Sequence, residues 1–162
     1  MRIAMANDHA GYPLKLEIRR FLEAGGHDVV DFGTHDDAAC DLADFAYPAA
    51  LAIGTGNVDR GIFVDGVGYG SAMIANKVRG VFAAVCQDPF CAELARSHSD
   101  TNALCLGGKI IGSGIALDIV RVWMATEYLG AAGGDEKYRR RVEKVLEIDR
   151  RHLRALSEVE AT

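Results

Sequence analysis

Residues 61–71 decide the fold: Gly61-Ile62-Phe63-Val64 runs directly into Asp65-Gly66-Val67-Gly68-Tyr69-Gly70-Ser71. The uncharged run predicts a buried strand, and the three alternate glycines after the aspartate predict a tight turn. Residues 71–78 then have the spacing of a helix. A buried strand, a glycine turn and a helix in this order are typical of a parallel sheet covered by helices.

The rest of the chain repeats this alternation. Further strands are predicted at 2–6, 27–32, 81–86 and 103–106, and helices at about 13–24, 44–53, 89–97, 115–130 and 135–158. Pro48 is tolerable in the second helix only near its start. With right-handed crossovers, the pattern predicts a Rossmann-like three-layer αβα sandwich with a five-stranded parallel sheet. Ligands bind such sheets at the carboxyl ends of the strands.

Composition excludes several classes of protein. The 162 residues, 49% apolar and 25% charged, predict one globular domain over 1–162. No apolar run reaches the ~18 residues of a membrane span, and the apolar stretch at the N-terminus is too short for a signal peptide, so we expect a cytoplasmic protein with no membrane partner. The four cysteines lack metal-ligand spacing, so we expect reduced thiols and no zinc site. No His, Asp or Glu cluster has ligand spacing either, so we expect no metal, and we also expect no cofactor. The net charge of −5 argues against nucleic acid as a partner.

Charge is unevenly distributed along the chain. Residues 137–154 hold eight basic and three acidic side chains, a net +5, which leaves −10 on the remainder. This basic segment favours an anionic ligand or an acidic partner surface, although a solvated helix face is the alternative. The break at 131–134 leaves the C-terminal helix free to reach a neighbouring subunit.

Three polar loops are expected at the carboxyl ends of the strands: Asn7–Gly11, Asp65–Ser71 and His98–Asn102. In the second loop, Gly66, Gly68 and Gly70 let the backbone approach a ligand, which predicts a cradle for an oxyanion or a phosphate. The spacing is neither a dinucleotide fingerprint nor a Walker loop. The alternative is a tight turn that binds nothing.

Titratable residues in these loops are candidates for proton transfer. Asp65 faces the expected crevice as a candidate base, or it caps the next helix. Asp8 and His9 suit proton transfer or phosphate contact, or else an N-cap with an exposed histidine. His98 lies in a polar run, where a lone histidine usually ends a helix.

Together, four motifs resemble the family of ribose-5-phosphate isomerase type B and galactose-6-phosphate isomerase, over about residues 1–148. The motifs are Asp8-His9-Ala10-Gly11, Asp65-Gly66-x-Gly68-x-Gly70 with Ile74-Ala75-Asn76-Lys77, Arg96-x-His98-x-Asp100-x-Asn102, and Arg141-Val142-Glu143. The resemblance implies an αβα sandwich, a homodimer or tetramer, and metal-free isomerisation of a phosphorylated aldose to a ketose.

The resemblance also implies roles for single residues. His9 lies beside the phosphate, His98 opens the sugar ring, and the glycine loop stabilises the enediolate oxygen. Arg141 binds the phosphate of the neighbouring subunit. We therefore predict Asp65, His98 and Asp8 as catalytic residues. The substrate and its phosphate are predicted to contact the following residues: His9, Gly66, Gly68, Gly70, Ser71, Lys137, Arg140 and Arg141.

Departures from the family pattern suggest an alternative. Ribose isomerases of this type carry a cysteine where this chain has Asp65 and a threonine where it has Val67. Leu42, Ser99 and Lys137 also replace a tyrosine, an asparagine and an arginine. The loop looks closer to one subunit of the heteromeric galactose-6-phosphate isomerase. The chain could thus be a non-catalytic or co-catalytic partner of a paralogous subunit. A flavodoxin-like binding domain is a third possibility, without a flavin signature in its favour.

Overall fold

Strands and helices alternate along residues 1–153, the part of the chain that this computed structural model describes. The strands are β1 (Arg2–Asn7), β2 (Asp28–Asp31), β3 (Arg60–Asp65), β4 (Ala83–Val85) and β5 (Ala103–Gly107). The helices are α1 (Tyr12–Ala24), α2 (Ala43–Gly54), α3 (Tyr69–Ala75), α4 (Pro89–Ser99), α5 (Ser113–Ala125) and α6 (Glu136–His152). Among these helices, none is both long and apolar enough to cross a membrane.

The strands form one sheet in the order β2-β1-β3-β5-β4, and all four pairings are parallel. The predicted five-stranded parallel sheet is confirmed. The strand that follows β1 in the chain, β2, lies at one end of this order, whereas the strands that follow β3, namely β4 and β5, lie toward the other end. The carboxyl ends of β1 and β3 therefore flank a topological switch point, where such sheets bind ligands.

Side chains alternate between the two faces of the sheet, and each face has its own apolar core. Ile62 and Val64 point into a cluster covered by α1, α4 and α5. Phe63 points into the opposite cluster, which α2 and α3 cover. The short side chains of α2, such as Ala46 and Ala49, are fully buried there. The three-layer αβα arrangement is confirmed.

Several element boundaries differ from those predicted. α3 begins at Tyr69 and ends at Ala75, so it starts and stops earlier than the predicted helix at 71–78. α5 ends at Ala125 rather than near residue 130. Pro48 lies inside α2, beyond its first turn, where the missing N–H removes a helical hydrogen bond. α2 runs from Ala43 to Gly54, within one residue of the predicted helix at 44–53, and Pro48 is its sixth residue.

The polar loop His98–Asn102 lies at the amino edge of the sheet, and its predicted place at the carboxyl edge is wrong. α4 starts after the carboxyl end of β4 and runs back along the sheet, so its last turn lies beside the start of β5. Asn102 confirms this position, because its side chain accepts a hydrogen bond from the amide of Phe82, just before β4.

The C-terminal segment forms α6, as predicted, and packs against α4 of its own chain. The predicted continuation of this helix to residue 158, including Arg154 of the basic segment, lies outside the described residues.

Candidate active site

Three loops meet at the switch point. The amide of Asp8 donates to the carbonyl of Val64 at 3.3 Å, which ties the loop after β1 to the end of β3. The amide of Gly108 donates to the carbonyl of Asp65 at 2.7 Å, which adds the loop after β5. A Cβ on Gly11 would lie 1.9 Å from the carbonyl oxygen of Val64, so only glycine allows this approach. The crevice is therefore built by backbone contacts among these three loops.

The Asp65 carboxylate lies inside the glycine loop and is 3% exposed. Its Oδ1 accepts hydrogen bonds from the amides of Val67 and Gly68. Its Oδ2 accepts two more from Ser71, one from the amide at 2.7 Å and one from the hydroxyl at 2.8 Å. A carboxylate offers about four acceptor positions, so these donors saturate it. Asp65 thus holds the loop in its folded shape.

The same hydrogen bonds divide the loop amides into two groups. The amides of Gly68 and Ser71, predicted to bind substrate oxygens, donate to Asp65 instead. Within residues 1–153, the amides of Gly66, Tyr69 and Gly70 donate no hydrogen bond. Gly68 adopts a φ of +86°, the left-handed conformation that glycine tolerates best. The loop therefore keeps three amides available to an incoming oxygen atom.

Asp8 and His9 follow β1 at the same crevice. The Asp8 carboxylate accepts a hydrogen bond from the amide of Gly11 at 2.9 Å through Oδ1. The Nδ1 atom of His9 is buried and has no hydrogen-bond partner among the described residues. An unmet buried polar atom costs about 1–3 kcal/mol, so His9 is placed to gain from a ligand that bonds to this nitrogen.

A buried ion pair that the sequence analysis missed supports the crevice from below. The Nζ of Lys15 is bonded to both carboxylate oxygens of Asp31, at 3.0 and 2.9 Å, and to the carbonyl of Thr34 at 2.7 Å. The amide of Thr34 in turn donates to the carbonyl of Asn7. The pair therefore fixes the loop after β2 against the end of β1. The sequence feature that could have identified Lys15 is its place in the first helical turn after the loop that follows β1.

Lys109 is a second residue that the sequence analysis missed. It is exposed in the loop after β5, and its Cδ lies 3.8 Å from the position that a Cβ on Gly66 would take. Its ammonium group adds a positive charge beside the glycine loop. The signal was its place directly after Gly107-Gly108 at the carboxyl end of a buried strand.

The remaining predicted residues form a cluster at the amino edge. The imidazole of His98 stacks on the ring of Tyr138, with centroids 4.5 Å apart and planes inclined by 19°. Lys137 Nζ and Arg141 Cζ lie 4.6 and 5.7 Å from the centre of the same ring. His98 and Arg141 line a cavity of about 550 Å³ between α4, α6 and the start of β4. Arg140 is exposed and does not line this cavity.

Lys137 carries a charge that a neighbour partly neutralises. Its Nζ lies 3.0 Å from a carboxylate oxygen of Asp135. This hydrogen bond and the charge of Asp135 raise the pKa of Lys137. The pKa of Asp135 is lowered, first by the hydrogen bond from the Lys137 amide. Arg141 has no such ion pair among the described residues, so it is the freer cation of the two.

The two clusters of one chain lie far apart. Asp65 and His9 are at the carboxyl edge, whereas His98 and Arg141 are at the amino edge. The five residues of β5 span about 17 Å between these edges. This length exceeds that of a sugar phosphate, so one substrate molecule cannot contact both clusters of the same chain.

The buried cysteine nearest the loop does not supply a thiolate. Cys105 lies beneath Gly68, and burial raises the pKa of its thiol well above the usual value, with a further contribution from the charge of Asp65. Burial likewise raises the pKa of Cys86 to about 12. Both thiols therefore stay protonated at neutral pH. Among residues 1–153, no group of three or more His, Cys, Asp or Glu side chains is arranged to hold a metal ion.

Known proteins resemble the chain over nearly its whole length. The family described as Ribose/Galactose Isomerase matches residues 3–145. Ribose-5-phosphate isomerase B of Escherichia coli is 38% identical over 150 residues, which cover 93% of this chain and 97% of that protein. The galactose-6-phosphate isomerase subunit LacB of Clostridium acetobutylicum is 33% identical over 128 residues, covering 79% and 74%. The solved structure of Clostridium thermocellum ribose-5-phosphate isomerase B matches with a TM-score of 0.89 at 41% identity, covering 94% and 99%.

Proposed function

The chain belongs to the ribose/galactose isomerase family of sugar-phosphate isomerases, and we propose that its crevice at the switch point interconverts an aldose phosphate and the corresponding ketose phosphate. The observation that carries this proposal is the glycine loop itself. Three unpartnered amides lie beside a buried carboxylate and an unpartnered histidine nitrogen. Such a site can bind the oxygen atoms of an enediolate and of a phosphate.

The reaction we propose runs through the open-chain aldose. Asp65 removes the proton from C2, and the electron pair forms the C1–C2 double bond while the C1 carbonyl oxygen becomes anionic. The amides of Gly66, Tyr69 and Gly70 stabilise that oxygen. Asp65 then returns the proton to C1, and the proton of the C2 hydroxyl passes to the C1 oxygen, which leaves a C1 hydroxyl and a C2 carbonyl, the ketose.

Asp65 can act as this base only if one of its four donors leaves. Three of the donors are backbone amides fixed by the loop, but the fourth is the Ser71 hydroxyl, which can rotate. We therefore propose that the Ser71 hydroxyl turns from Asp65 to a substrate oxygen when the sugar binds. This rotation frees Oδ2 for the C2 proton and gives the substrate a donor.

The complete site needs two copies of the chain. His9 and Lys109 supply contacts to the phosphate at the carboxyl edge, whereas ring opening by His98 with Asp8 requires a histidine from the far edge. A homodimer, or a tetramer built from it, brings the amino-edge cluster of one copy to the crevice of the other. Arg141 then reaches the phosphate, together with Lys137 or Arg140. The exposed apolar residues Val145 and Ile148 of α6 give that contact an apolar surface.

We propose that the chain acts as one domain, without a metal or cofactor, on a phosphorylated sugar. We propose the cytoplasm as its location, because all four cysteines are free thiols, as expected in a reducing compartment.

A panel of pure C4, C5 and C6 aldose phosphates tests the proposed function. Ketose formation by the purified chain is expected with at least one member of the panel, and not with the matching unphosphorylated sugar. His9→Ala is expected to raise KM for that substrate more than it lowers kcat. Absence of turnover with every aldose phosphate, by a folded chain of defined oligomeric state, contradicts catalysis by this chain alone.

The second candidate function is that of a co-catalytic partner subunit. The saturated carboxylate of Asp65 favours it, because a carboxylate that only shapes the loop leaves proton transfer to another chain. LacB of Clostridium acetobutylicum is itself named as a subunit. Turnover that appears only after a paralogous chain is added, with both chains eluting in one complex, supports this second function over the first.

A further inference from the structure

Tyr138 lies at the centre of the amino-edge cluster, and the proposed mechanism gives it no role. Tyr138 is half-buried in the first turn of α6. It stacks on the imidazole of His98, which belongs to the last turn of α4. The ammonium of Lys137 and the guanidinium of Arg141 approach the same ring. One aromatic ring thus contacts the predicted ring-opening group and two predicted phosphate ligands.

The imidazole of His98 has little else to fix its orientation. Among residues 1–153 no side-chain hydrogen bond involves this imidazole, and its specific contact is the stacked ring of Tyr138. Rotation of the imidazole about its Cβ–Cγ bond would break this stack. Because both ring nitrogens lie in the plane of the imidazole, a stack that fixes the plane also fixes the directions in which they can exchange protons.

We propose that Tyr138 is a positioning residue, which holds the imidazole of His98 at the angle needed to open the sugar ring; this inference rests on the proposed function. A stacked aromatic pair favours near-parallel planes with offset centroids, as observed here. The face of the tyrosine ring also attracts cations, which gathers Lys137 and Arg141 around the same centre. Tyr138 therefore sets the spacing between the group that opens the ring and the groups that hold the phosphate.

A positioning role for Tyr138 predicts that its loss affects some substrates and not others, whereas a role in packing alone does not. Ring opening is needed only for aldose phosphates that cyclise. Erythrose 4-phosphate cannot close a five-membered ring, because its O4 carries the phosphate. Loss of the stack should therefore lower kcat for a cyclising pentose or hexose phosphate and spare kcat for the tetrose phosphate, whereas loss of the ring's contacts with Lys137 and Arg141 should raise KM for both. A structural defect in α6 would impair both substrates alike.

The experiment compares Tyr138→Leu, which removes the stack, with Tyr138→Phe, which keeps it. We expect Tyr138→Leu to lower kcat on the preferred cyclising aldose phosphate about 3- to 10-fold. Turnover of erythrose 4-phosphate should stay within about twofold, and Tyr138→Phe should match the unmodified chain on both substrates. In a His98→Asn background, Tyr138→Leu should have no further effect on the cyclising substrate, because the group it positions is gone.

A second readout does not depend on turnover. The Tyr138 ring current should displace the NMR signal of the His98 Cε1 proton, and this displacement should persist in Tyr138→Phe and vanish in Tyr138→Leu. Equal activity of Tyr138→Leu and the unmodified chain on the cyclising substrate overturns the positioning role and leaves the proposed function intact. Equal losses of kcat on both substrates in Tyr138→Leu, or turnover of only the tetrose phosphate by the unmodified chain, also overturn it. Absence of turnover by the unmodified chain removes both proposals.

Discussion

Ser71 donates two hydrogen bonds to a single oxygen of Asp65, from its amide at 2.7 Å and from its hydroxyl at 2.8 Å. The other oxygen is held by the amides of Val67 and Gly68. The hydroxyl is the one donor of the four that a bond rotation can withdraw. In the proposed reaction, Ser71 therefore controls whether Asp65 can accept a proton from carbon.

Asp65→Asn should reduce both turnover and stability. Turnover should fall about 10²- to 10⁴-fold, the usual contribution of a positioned general base. Each carboxylate oxygen of Asp65 accepts from two donors. Asparagine replaces one of these oxygens by an amide nitrogen that cannot accept hydrogen bonds, so one pair of donors loses its acceptor. The free energy of unfolding should then fall by about 1–3 kcal/mol. Thermal melting and steady-state kinetics measure the two effects. Unchanged values of both contradict the hydrogen-bond network and the role of base together.

Ser71→Ala should separate these two roles of Asp65. It removes one hydroxyl donor, so the free energy of unfolding should fall by about 1 kcal/mol. Because Oδ2 then keeps only the backbone donor of residue 71 and has a free acceptor position, turnover should stay within about tenfold of the unmodified chain, far above that of Asp65→Asn. A loss as large as that of Asp65→Asn would show instead that the hydroxyl itself is needed in the reaction.

Gly11→Ala should prevent the crevice from forming. The added Cβ would lie 1.9 Å from the carbonyl oxygen of Val64, and backbone on both sides leaves no flexible atom to move. We expect a loss of stability of several kcal/mol or failure to fold, measured by denaturant unfolding. Gly114→Ala is the matched control, because nothing lies within 4 Å of its Cβ position inside α5. That control should raise the free energy of unfolding by about 0.5–1 kcal/mol.

Incubation with EDTA should leave turnover unchanged. The described residues offer no cluster of His, Cys, Asp or Glu side chains arranged for a metal, and the proposed proton transfer uses Asp65 and backbone amides. Rates before and after chelation, followed by addition of Mg²⁺, Mn²⁺ or Zn²⁺, provide the measurement. Activity that EDTA abolishes and one of these ions restores contradicts the proposed mechanism.

The sequence predicted what depends on periodicity, and it missed what depends on three-dimensional neighbours. The uncharged strand at 61–64 and the glycine turn after it were sufficient to predict the parallel sheet and its crevice. The partners of Asp65 were not predictable, because no pattern shows that the amide of Ser71 folds back on this carboxylate. His98 was assigned to the wrong edge for a related reason: polarity marks a loop, whereas only the direction of α4 decides which end of the sheet the loop occupies.

The distance between the two edges of the sheet makes the proposed active site depend on assembly, because Arg141 of one copy must reach the crevice of another. Arg141→Ala alone should raise KM for the phosphorylated sugar about 10- to 150-fold, because a charged hydrogen bond contributes about 1.5–3 kcal/mol. Lys144→Ala is the matched control, because this exposed cation of α6 lies outside the cavity and has no proposed role in phosphate binding, so KM should stay within about twofold. Light scattering should show a dimer or a larger assembly for each variant.

Mixing two impaired variants then tests whether each active site is shared. An Asp65→Asn chain keeps its Arg141, and an Arg141→Ala chain keeps its Asp65. If a site takes Asp65 from one copy and Arg141 from the other, each mixed dimer contains one intact site and one doubly altered site. After unfolding and refolding at equal concentrations, half of the dimers should be mixed, so about a quarter of the original activity should return. If both residues serve the same chain, no mixture exceeds the average of its two components, and the shared site is excluded.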